Sequence, residues 1–177
     1  ASVGNLLEAA GYPVHREYYV NDAGRQMDIL GASVWLRWLE ANNIAVPFPN
    51  AGYRGDYIRD IAAEIDTSGI SLPGLDDVLA NLPQQDDEDK ESFEPYVEAL
   101  IARAKELHGE DGFDSIRQQS LDSILADIRN DLAEFGVTFD QWYSEQSLTK
   151  TGRIDDALDV LEKRGMLYKK DGATWFP

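Results

Sequence analysis

Apolar residues recur at helical spacing along most of this chain. The longest stripes lie in residues 23–42, 93–107 and 113–135, where apolar positions fall three or four residues apart. Shorter helical patterns occupy residues 3–11, 56–66, 76–82 and 151–164. Gly109 and Gly112 separate the last two long stripes, and so short a connection predicts an antiparallel helix pair. The chain is therefore predicted to be predominantly helical.

A few segments instead carry the β-branched and aromatic residues that favour strands. One is residues 14–20, between the first two predicted helices, and another is residues 137–145. Near the end of the chain, Asp171 and Gly172 separate two short β-favouring runs, which is a strong signal for a β-hairpin. These segments place the chain in the α/β class, with a C-terminal β-hairpin.

The first of these strands ends at Asn21 and Asp22, directly before a predicted helix. Both residues are preferred helix N-caps, and a plain N-cap is the commoner role for such a pair. α/β proteins also bind ligands where a strand ends and a helix begins, because the helix N-terminus presents unpaired N–H groups. From the residues alone, both interpretations of the bend stay open.

Composition excludes several kinds of site. The formal charge of −17 argues against a primary nucleic-acid clamp, although a basic surface in another part of a longer protein remains compatible with it. The absence of cysteine excludes disulfides and cysteine-based zinc sites. His15 and His108 are far apart in sequence, so no histidine metal cluster is expected. No apolar run reaches the ~18 residues of a membrane span, and we expect a cytoplasmic protein without membrane contact.

Residues 17–26 carry the most specific pattern, Glu-Tyr-Tyr-Val-Asn-Asp-Ala-Gly-Arg-Gln. It resembles the Tyr-Val-Asn-Asp-Ala-Gly-Arg-Gln signature of bacterial-type arginyl-tRNA synthetases, which are class I aminoacyl-tRNA synthetases. Further segments that resemble this family lie at residues 5–12, 52–58, 139–145 and 165–176. The resemblance is close over residues 2–66 and 136–177, whereas the residues between share only helical character with the family.

The resemblance implies arginine–tRNA ligase activity in translation. Arginine attacks the α-phosphate of ATP to form arginyl-adenylate, and the arginyl group then passes to the terminal adenosine of tRNA(Arg). ATP is a substrate and Mg²⁺ an activator of the full-length enzyme, and L-arginine, ATP and tRNA(Arg) are its partners. The parent enzyme is expected to be a cytoplasmic monomer.

The same resemblance implies an architecture. Residues 1–50 are predicted to form part of a Rossmann-like nucleotide-binding fold, as a helix, a strand and a second helix. Residues 51–177 are predicted to form a mostly helical connective insertion. Within the insertion, the helix pair is expected at about residues 90–135 and the final helix with its β-hairpin at about residues 137–177.

The chain departs from the family pattern at its reactive motifs. It contains neither the His-x-Gly-His of the HIGH motif nor a KMSKS-type lysine loop. We therefore predict a fragment of the catalytic region that has no catalytic residue of its own, binds no cofactor or metal and is inactive alone. By resemblance, Asn21, Asp22, Gly24 and Gln26 are assigned to the wall of the substrate cleft.

A different class of function stays open. The acidic helices would also suit a non-catalytic interaction module, derived from a synthetase, that binds a protein partner. An acidic DNA mimic has only the charge of −17 in its favour. If the fragment lacks a neighbouring strand of the parent sheet, the exposed sheet edge invites self-association.

Overall fold

The computed structural model describes residues 1–176 and is mostly helical. In chain order the elements are α1 (Ser2–Ala9), β1 (Glu17–Val20), α2 (Arg25–Ala41), α3 (Asp56–Glu64), α4 (Leu75–Leu79), a 3-10 turn (Lys90–Ser92), α5 (Phe93–Glu134), β2 (Gln141–Ser144), α6 (Gln146–Lys150), α7 (Arg153–Lys163), β3 (Tyr168–Lys170) and β4 (Ala173–Trp175). They fall into two compact units, one made of residues 24–136 and the other of residues 1–23 with the chain from residue 137 onward.

The discontinuous unit is built on a parallel strand pair. β1 and β2 pair in register from Glu17 opposite Gln141 to Val20 opposite Ser144. The backbone N–H of Glu145 extends the pairing by donating to the carbonyl oxygen of Val20 at 3.0 Å. Because the strands are parallel, their carboxyl ends lie at the same edge of the sheet. Both predicted strands are present, but each is shorter than the run of β-favouring residues.

Arg16, directly before β1, links this strand pair to α1 through side-chain hydrogen bonds. Its guanidinium donates to both carboxylate oxygens of Glu8, at 2.7 and 2.9 Å, and to the side-chain oxygen of Asn5 at 2.9 Å. The hydrogen bond from Arg16 lowers the pKa of the Glu8 carboxyl. The apolar side chains of α1 remain exposed, with Val3 and Leu6 each 71% accessible. Polar contacts therefore hold this helix in place, and burial does not.

Aromatic side chains cover one face of the strand pair. The ring of Tyr18 stacks on that of Trp142 with centroids 4.3 Å apart, and Phe139 meets Tyr18 edge-on at 5.2 Å. On the opposite face Tyr19 and Tyr143 stack more loosely, at 6.4 Å. The alternation of side chains along β1 thus divides its two tyrosines between different aromatic groups.

The continuous unit holds the hydrophobic core. α2 contributes the largest share of the buried apolar residues, including Trp35 and Leu39, which are fully buried. α3 and α4 add Ile58 and Val78, also fully buried, and α5 packs against α2 along much of its length. The predicted helical stripes therefore mark the faces that meet in this core, as amphipathic periodicity requires.

α5 consists of two helical segments joined at Gly109. This residue has φ of 72° and ψ of 165°, which is not a helical conformation, whereas the predicted second turn residue, Gly112, lies within the helix. The first segment follows α2 in the same direction, and the second runs back along it. Arg25 and Trp35 of α2 contact successive parts of the first segment, while Gly31 packs against Phe113 and Arg117 of the second.

The boundary predicted at residue 50 does not coincide with the division between the compact units. α2 packs against α3 and α5, and this burial places it in the unit of residues 24–136. β1 pairs with β2, which joins residues 1–23 to the chain after residue 136. Long-range strand pairing therefore separates β1 from the helix that directly follows it in sequence.

The C-terminal hairpin is present as predicted. β3 and β4 pair in an antiparallel manner, with Tyr168 opposite Trp175 and Lys170 opposite Ala173. Asp171 and Gly172 have φ of 52° and 78°, the left-handed values that a two-residue hairpin turn requires.

No helix within residues 1–176 combines the length and the apolar character needed to cross a membrane.

Candidate functional site

The four residues predicted for the substrate cleft follow β1 and begin α2. Asn21 and Asp22 belong to the discontinuous unit, whereas Gly24 and Gln26 belong to the continuous one.

Asp22 is one of the few buried residues of its unit, with 7% of its surface accessible. Its carboxylate accepts a hydrogen bond from the backbone N–H of Gln146, the first residue of α6, at 2.8 Å. Asp22 therefore caps a helix 124 residues later in the chain. This hydrogen bond links the end of β1 to the start of α6, which directly follows β2, at the sheet edge where both parallel strands end.

The prediction that Asn21 or Asp22 caps the following helix is wrong. α2 begins at Arg25, its N-cap position is Gly24, and within residues 1–176 no side-chain cap accepts a hydrogen bond from the backbone at its N-terminus. The physical reason is that the parallel pairing of β1 with β2 brings the start of α6 within reach of the Asp22 carboxylate. Sequence distance concealed this partner, since N-cap patterns concern only the next helix.

Asn21 differs from its neighbour in exposure. It is exposed, and among residues 1–176 its side chain makes no hydrogen bond with another residue. It lies directly after the carboxyl end of β1, where open α/β sheets bind ligands. Its amide is therefore free to meet a ligand, whereas the Asp22 carboxylate already has a partner.

Other polar groups gather at the same sheet edge. The Ser147 hydroxyl donates to the carbonyl oxygen of Ser144 at 2.6 Å, which closes the turn between β2 and α6. Desolvation and the nearby Glu145 carboxylate raise the pKa of the Tyr19 hydroxyl. The amide of Asn21, the phenol of Tyr19 and the carboxylate of Glu145 therefore all lie near this sheet edge in the discontinuous unit.

The backbone conformation at position 24 requires glycine. It has φ of 90° and ψ of −173°, a region that is essentially restricted to glycine. A β-carbon placed there would meet no atom within 4 Å, so space is not the constraint. The turn into α2 therefore depends on the conformational freedom of this residue.

Gln26 is held by a residue from another segment that resembles the synthetase family. The hydroxyl of Tyr53 donates to the side-chain oxygen of Gln26 at 3.1 Å. The backbone N–H of Tyr53 donates to the hydroxyl of Ser33 at 3.0 Å, and Ser33 is fully buried in α2. These contacts join the segment of residues 52–58 to the first turns of α2.

Arg25 was not predicted as a site residue, but the structure places it in a charged cluster. It forms ion pairs with Glu94 and Glu98, one turn apart at the start of α5. The hydrogen bond to Glu98 raises the pKa of the Arg25 guanidinium. A cavity of about 520 Å³ opens beside these groups, and Asp28 on its wall lies 3.3 Å from Lys105. In the sequence, the signal that could have indicated this cluster was the presence of a basic residue, Arg25, within the family signature.

The histidines lie apart from these groups. His15 is exposed and lies 4.0 Å from Asp140. The Nε2 of His108 accepts a hydrogen bond from the indole of Trp35 at 2.9 Å, and burial lowers the pKa of this imidazole. In the part of the chain that the structure describes, no group of three or more His, Asp or Glu side chains is arranged to hold a metal ion.

Comparison with known proteins first identifies the class. The fold resembles a solved arginyl-tRNA synthetase structure from Campylobacter jejuni, with a TM-score of 0.62 and 27% identity over 97% of this chain and 30% of that one. No protein-family model matches. The chain is therefore related to the aminoacyl-tRNA synthetases.

Sequence relatives identify the family more narrowly. The chain is 53% identical to the arginine–tRNA ligase of Thioalkalivibrio sulfidiphilus, 49% identical to that of Halorhodospira halophila and 48% identical to that of Legionella pneumophila. Each match covers 99% of this chain and 30% of the relative. The chain is thus homologous to a segment of the arginine–tRNA ligases and spans about 30% of their length.

Proposed function

We propose that this chain acts as part of an arginine–tRNA ligase, which activates arginine with ATP and transfers the arginyl group to tRNA(Arg). The supporting observation is the 53% identity to a named arginine–tRNA ligase across 99% of the chain. ATP serves as substrate and Mg²⁺ as its activator in the whole enzyme. We expect that enzyme to be a cytoplasmic monomer.

Within this function, the paired strands β1 and β2 form part of a Rossmann-like nucleotide-binding fold. Ligands of such folds bind outside the carboxyl ends of parallel strands. Asn21 follows that end and is exposed, so we assign it to direct contact with a substrate or the tRNA end. Asp22 is a positioning residue, because its carboxylate bonds the backbone of α6.

Gly24 and Gln26 shape the start of α2. The backbone conformation of Gly24 sets the direction of the chain entering the helix, and Tyr53 holds the side chain of Gln26. We assign both to the wall of the substrate cleft. The reactive groups of adenylate formation are proposed to come from parts of the enzyme beyond these residues.

A segment exchange tests the function. The corresponding segment of the Legionella pneumophila enzyme, which is 48% identical, is replaced by these 177 residues, and charging of tRNA(Arg) with arginine is measured. We expect activity within about tenfold of the parent enzyme, a loss of no more than about 1.4 kcal/mol of transition-state stabilisation. A folded exchange enzyme that charges no tRNA would contradict the proposal.

Two substitutions in the exchange enzyme separate contact from folding. Asn21→Ala is expected to lower kcat/KM, because it removes an exposed amide at the proposed cleft. Asn130→Ala is the matched control, since Asn130 is also exposed but belongs to α5 and is not among the residues assigned to the cleft. Equal kcat/KM in the two variants would remove Asn21 from the site.

The 177-residue chain by itself is expected to be inactive. Pyrophosphate exchange is measured with arginine, ATP and tRNA(Arg), and turnover by the chain would show that it carries the reactive groups. If the exchange enzyme fails to charge tRNA while the chain folds, the alternative is an acidic helical module that binds a protein partner, with its charge of −17 in favour.

A further inference from the structure

The second segment of α5 continues beyond the apolar core. Its buried residues end at Ser120, although apolar residues keep their helical spacing further along the segment. These later apolar residues, each only partly buried, are Leu121, Ile124, Leu125, Ile128 and Leu132. The apolar stripe of an amphipathic helix normally packs against a partner. This part of α5 therefore has apolar surface that residues 1–176 do not cover completely.

A groove lies beside this stripe, between α3 and the second segment of α5. It consists of two cavities of about 400 Å³ each, whose walls share Tyr57, Ile124 and Asp127. Leu30 and Ile61, which are buried members of the hydrophobic core, also line these cavities. The groove, called the α3–α5 groove below, thus lies wholly within residues 24–136 and has an apolar interior.

Two tyrosine rings of the groove are held in fixed positions. Tyr57 is 46% accessible, and its ring packs so closely on Gly55 that a β-carbon at that position would overlap it. The hydroxyl of Tyr53 donates to the side chain of Gln26 at 3.1 Å, so the polar end of this residue already has a partner. Because the rings are ordered in advance, a ligand that packs on them loses less conformational entropy on binding.

The charged residues of the groove are all acidic. Asp60, Glu64 and Asp127 are exposed on its walls, and no Lys, Arg or His of the described chain lines either cavity. Within residues 1–176 the three carboxylates form neither ion pairs nor side-chain hydrogen bonds. Apolar surface edged by free carboxylates is complementary to a ligand that combines apolar side chains with positive charge.

The shape of the groove favours a helical ligand. Its wall on α5 runs from Leu121 to Asn130, which is about 14 Å or nearly three helical turns. The strands of the described chain all lie outside residues 24–136, so an extended peptide would find no sheet edge in this unit to pair with. A helix satisfies its own backbone hydrogen bonds and needs only side-chain contacts in an apolar groove.

A second copy of this chain does not have the required charge. Its exposed amphipathic helix α7 carries two basic side chains against four acidic ones, and the whole chain has a net charge of −17. Acidic surface placed against the acidic walls of the groove would be repelled. The charges therefore favour a different, basic protein as the partner.

We propose that the α3–α5 groove binds a basic amphipathic helix of a protein partner. The apolar face of that helix packs on Tyr57, Leu121 and Ile124. Its flanking Lys or Arg side chains form ion pairs with the three carboxylates of the groove walls. This inference concerns a protein partner and does not rest on the proposed ligase function.

Binding of a designed peptide tests the groove. The probe is a fluorescently labelled peptide of about 14 residues, made only of leucine and lysine, with leucines at i, i+3, i+4 and i+7 spacing. The 177-residue chain is titrated into this peptide with anisotropy as the signal. We expect tighter binding than to a leucine–glutamate peptide of the same pattern, or to a leucine–lysine peptide whose leucines alternate as in a strand.

Tyr57→Ala should weaken binding of the helical leucine–lysine peptide about tenfold, because aromatic anchors carry much of the affinity at such interfaces. Tyr57→Phe keeps the ring and should retain most of the affinity. The matched control is Tyr12→Ala, since Tyr12 is 63% accessible and belongs to the discontinuous unit. It should leave the affinity unchanged. Urea denaturation verifies that each variant is folded.

Replacing the three carboxylates by amides tests the walls of the groove. Asp60→Asn, Glu64→Gln and Asp127→Asn together should weaken binding at low salt and reduce the dependence of affinity on salt. The matched control removes three exposed charges that line neither cavity: Asp76→Asn, Glu88→Gln and Asp111→Asn. Both triple variants have the same net charge, so a smaller effect of the control shows that the position of the charges matters.

Several results would overturn the proposal. The first two are no binding of the helical leucine–lysine peptide and equal binding of either comparison peptide. Equal affinities of Tyr57→Ala and Tyr12→Ala, or of the two triple variants, would show that the peptide binds elsewhere. A dimer detected by light scattering and dissociated by Tyr57→Ala would show that a second copy of the chain occupies the groove.

The exchange enzyme distinguishes an external partner from the rest of the ligase. It should bind the helical leucine–lysine peptide as tightly as the 177-residue chain does. If only the chain binds, another part of the ligase covers the groove, and the proposal is overturned whether or not the enzyme charges tRNA. Loss of charging with peptide binding retained would contradict the proposed function alone.

Discussion

The two compact units are stabilised in different ways. Residues 24–136 enclose a continuous apolar core in which side chains such as Trp35 and Phe113 are almost completely buried. In the other unit, Val20 and Asp22 alone are buried among the residues that the structure describes. That unit relies on parallel strand pairing, an arginine–carboxylate contact and stacked aromatic rings.

This difference distinguishes residues that burial explains from residues that it does not explain. Residues 17–22 of the family signature, and the further segment of residues 139–145 that resembles the family, lie in the unit where burial is least. Burial does not account for an exposed asparagine at a strand end. Binding is the physical role that an exposed asparagine at a strand end fits, which is why the proposed direct contact of Asn21 lies in the sparsely buried unit.

The largest effect is expected from the apolar core. Phe113→Ala should lower the free energy of unfolding by about 3–5 kcal/mol, because it opens a cavity against α2. Phe135→Ala is the control: Phe135 is 86% accessible, and its loss should change the free energy by less than about 0.5 kcal/mol. Urea denaturation measures both, and equal midpoints would contradict the contrast between a buried core and an exposed surface.

A smaller effect is expected where the chain enters α2. Gly24→Ala should destabilise the protein by about 1–3 kcal/mol, since alanine rarely adopts the backbone conformation found there. Gly69→Ala is matched to it, because a β-carbon at either position meets no atom within 4 Å and only Gly24 has a positive φ. If thermal denaturation shows the two variants to be equally stable, backbone conformation is not what Gly24 provides.

The cap between distant segments should contribute less. Asp22→Ala should cost about 0.5–2 kcal/mol and expose the amide of Gln146 to hydrogen exchange, because it removes the only side-chain acceptor on that N–H in the described chain. Asp22→Asn retains an acceptor oxygen and should lose less. Asp60→Ala removes an exposed carboxylate and serves as the control. An unchanged Gln146 exchange rate in Asp22→Ala would show that the cap is unimportant.

The smallest effect concerns pH. Burial lowers the pKa of His108 below its ordinary value of 6.5, so the unfolded chain takes up a proton at higher pH than the folded protein does. Neutral His108 makes its full contribution to the free energy of unfolding above pH 6.5. This contribution is lost as the pH falls through the lowered pKa of the folded protein.

Substitution isolates this contribution. His108→Gln should flatten the decrease in stability below pH 6.5. Urea denaturation at several pH values provides the comparison. An identical pH dependence in His108→Gln and the unaltered protein would contradict the assignment to His108.

Local patterns predicted much of the secondary structure. Periodicity located the helices, and the Asp171–Gly172 pair located the hairpin, because both depend on neighbours within a few residues. The short helix α6 was missed, since its five residues directly follow the predicted strand segment of residues 137–145 and are too few to show a helical period. The family signature likewise located the candidate site, at Asn21, Asp22, Gly24 and Gln26.

Long-range contacts decided the rest. The pairing of β1 with β2, the cap from Asp22 to Gln146 and the ion pairs of Arg25 with the start of α5 each join residues more than 60 positions apart. The sequence of a strand indicates which of its faces is apolar, but it does not indicate which other strand pairs with it. Likewise, a carboxylate can cap any helix whose N-terminus the fold brings within hydrogen-bonding distance. Residue identity was therefore enough to name the candidate site, and only the folded chain showed that the Asp22 carboxylate caps α6 while the Asn21 side chain is exposed.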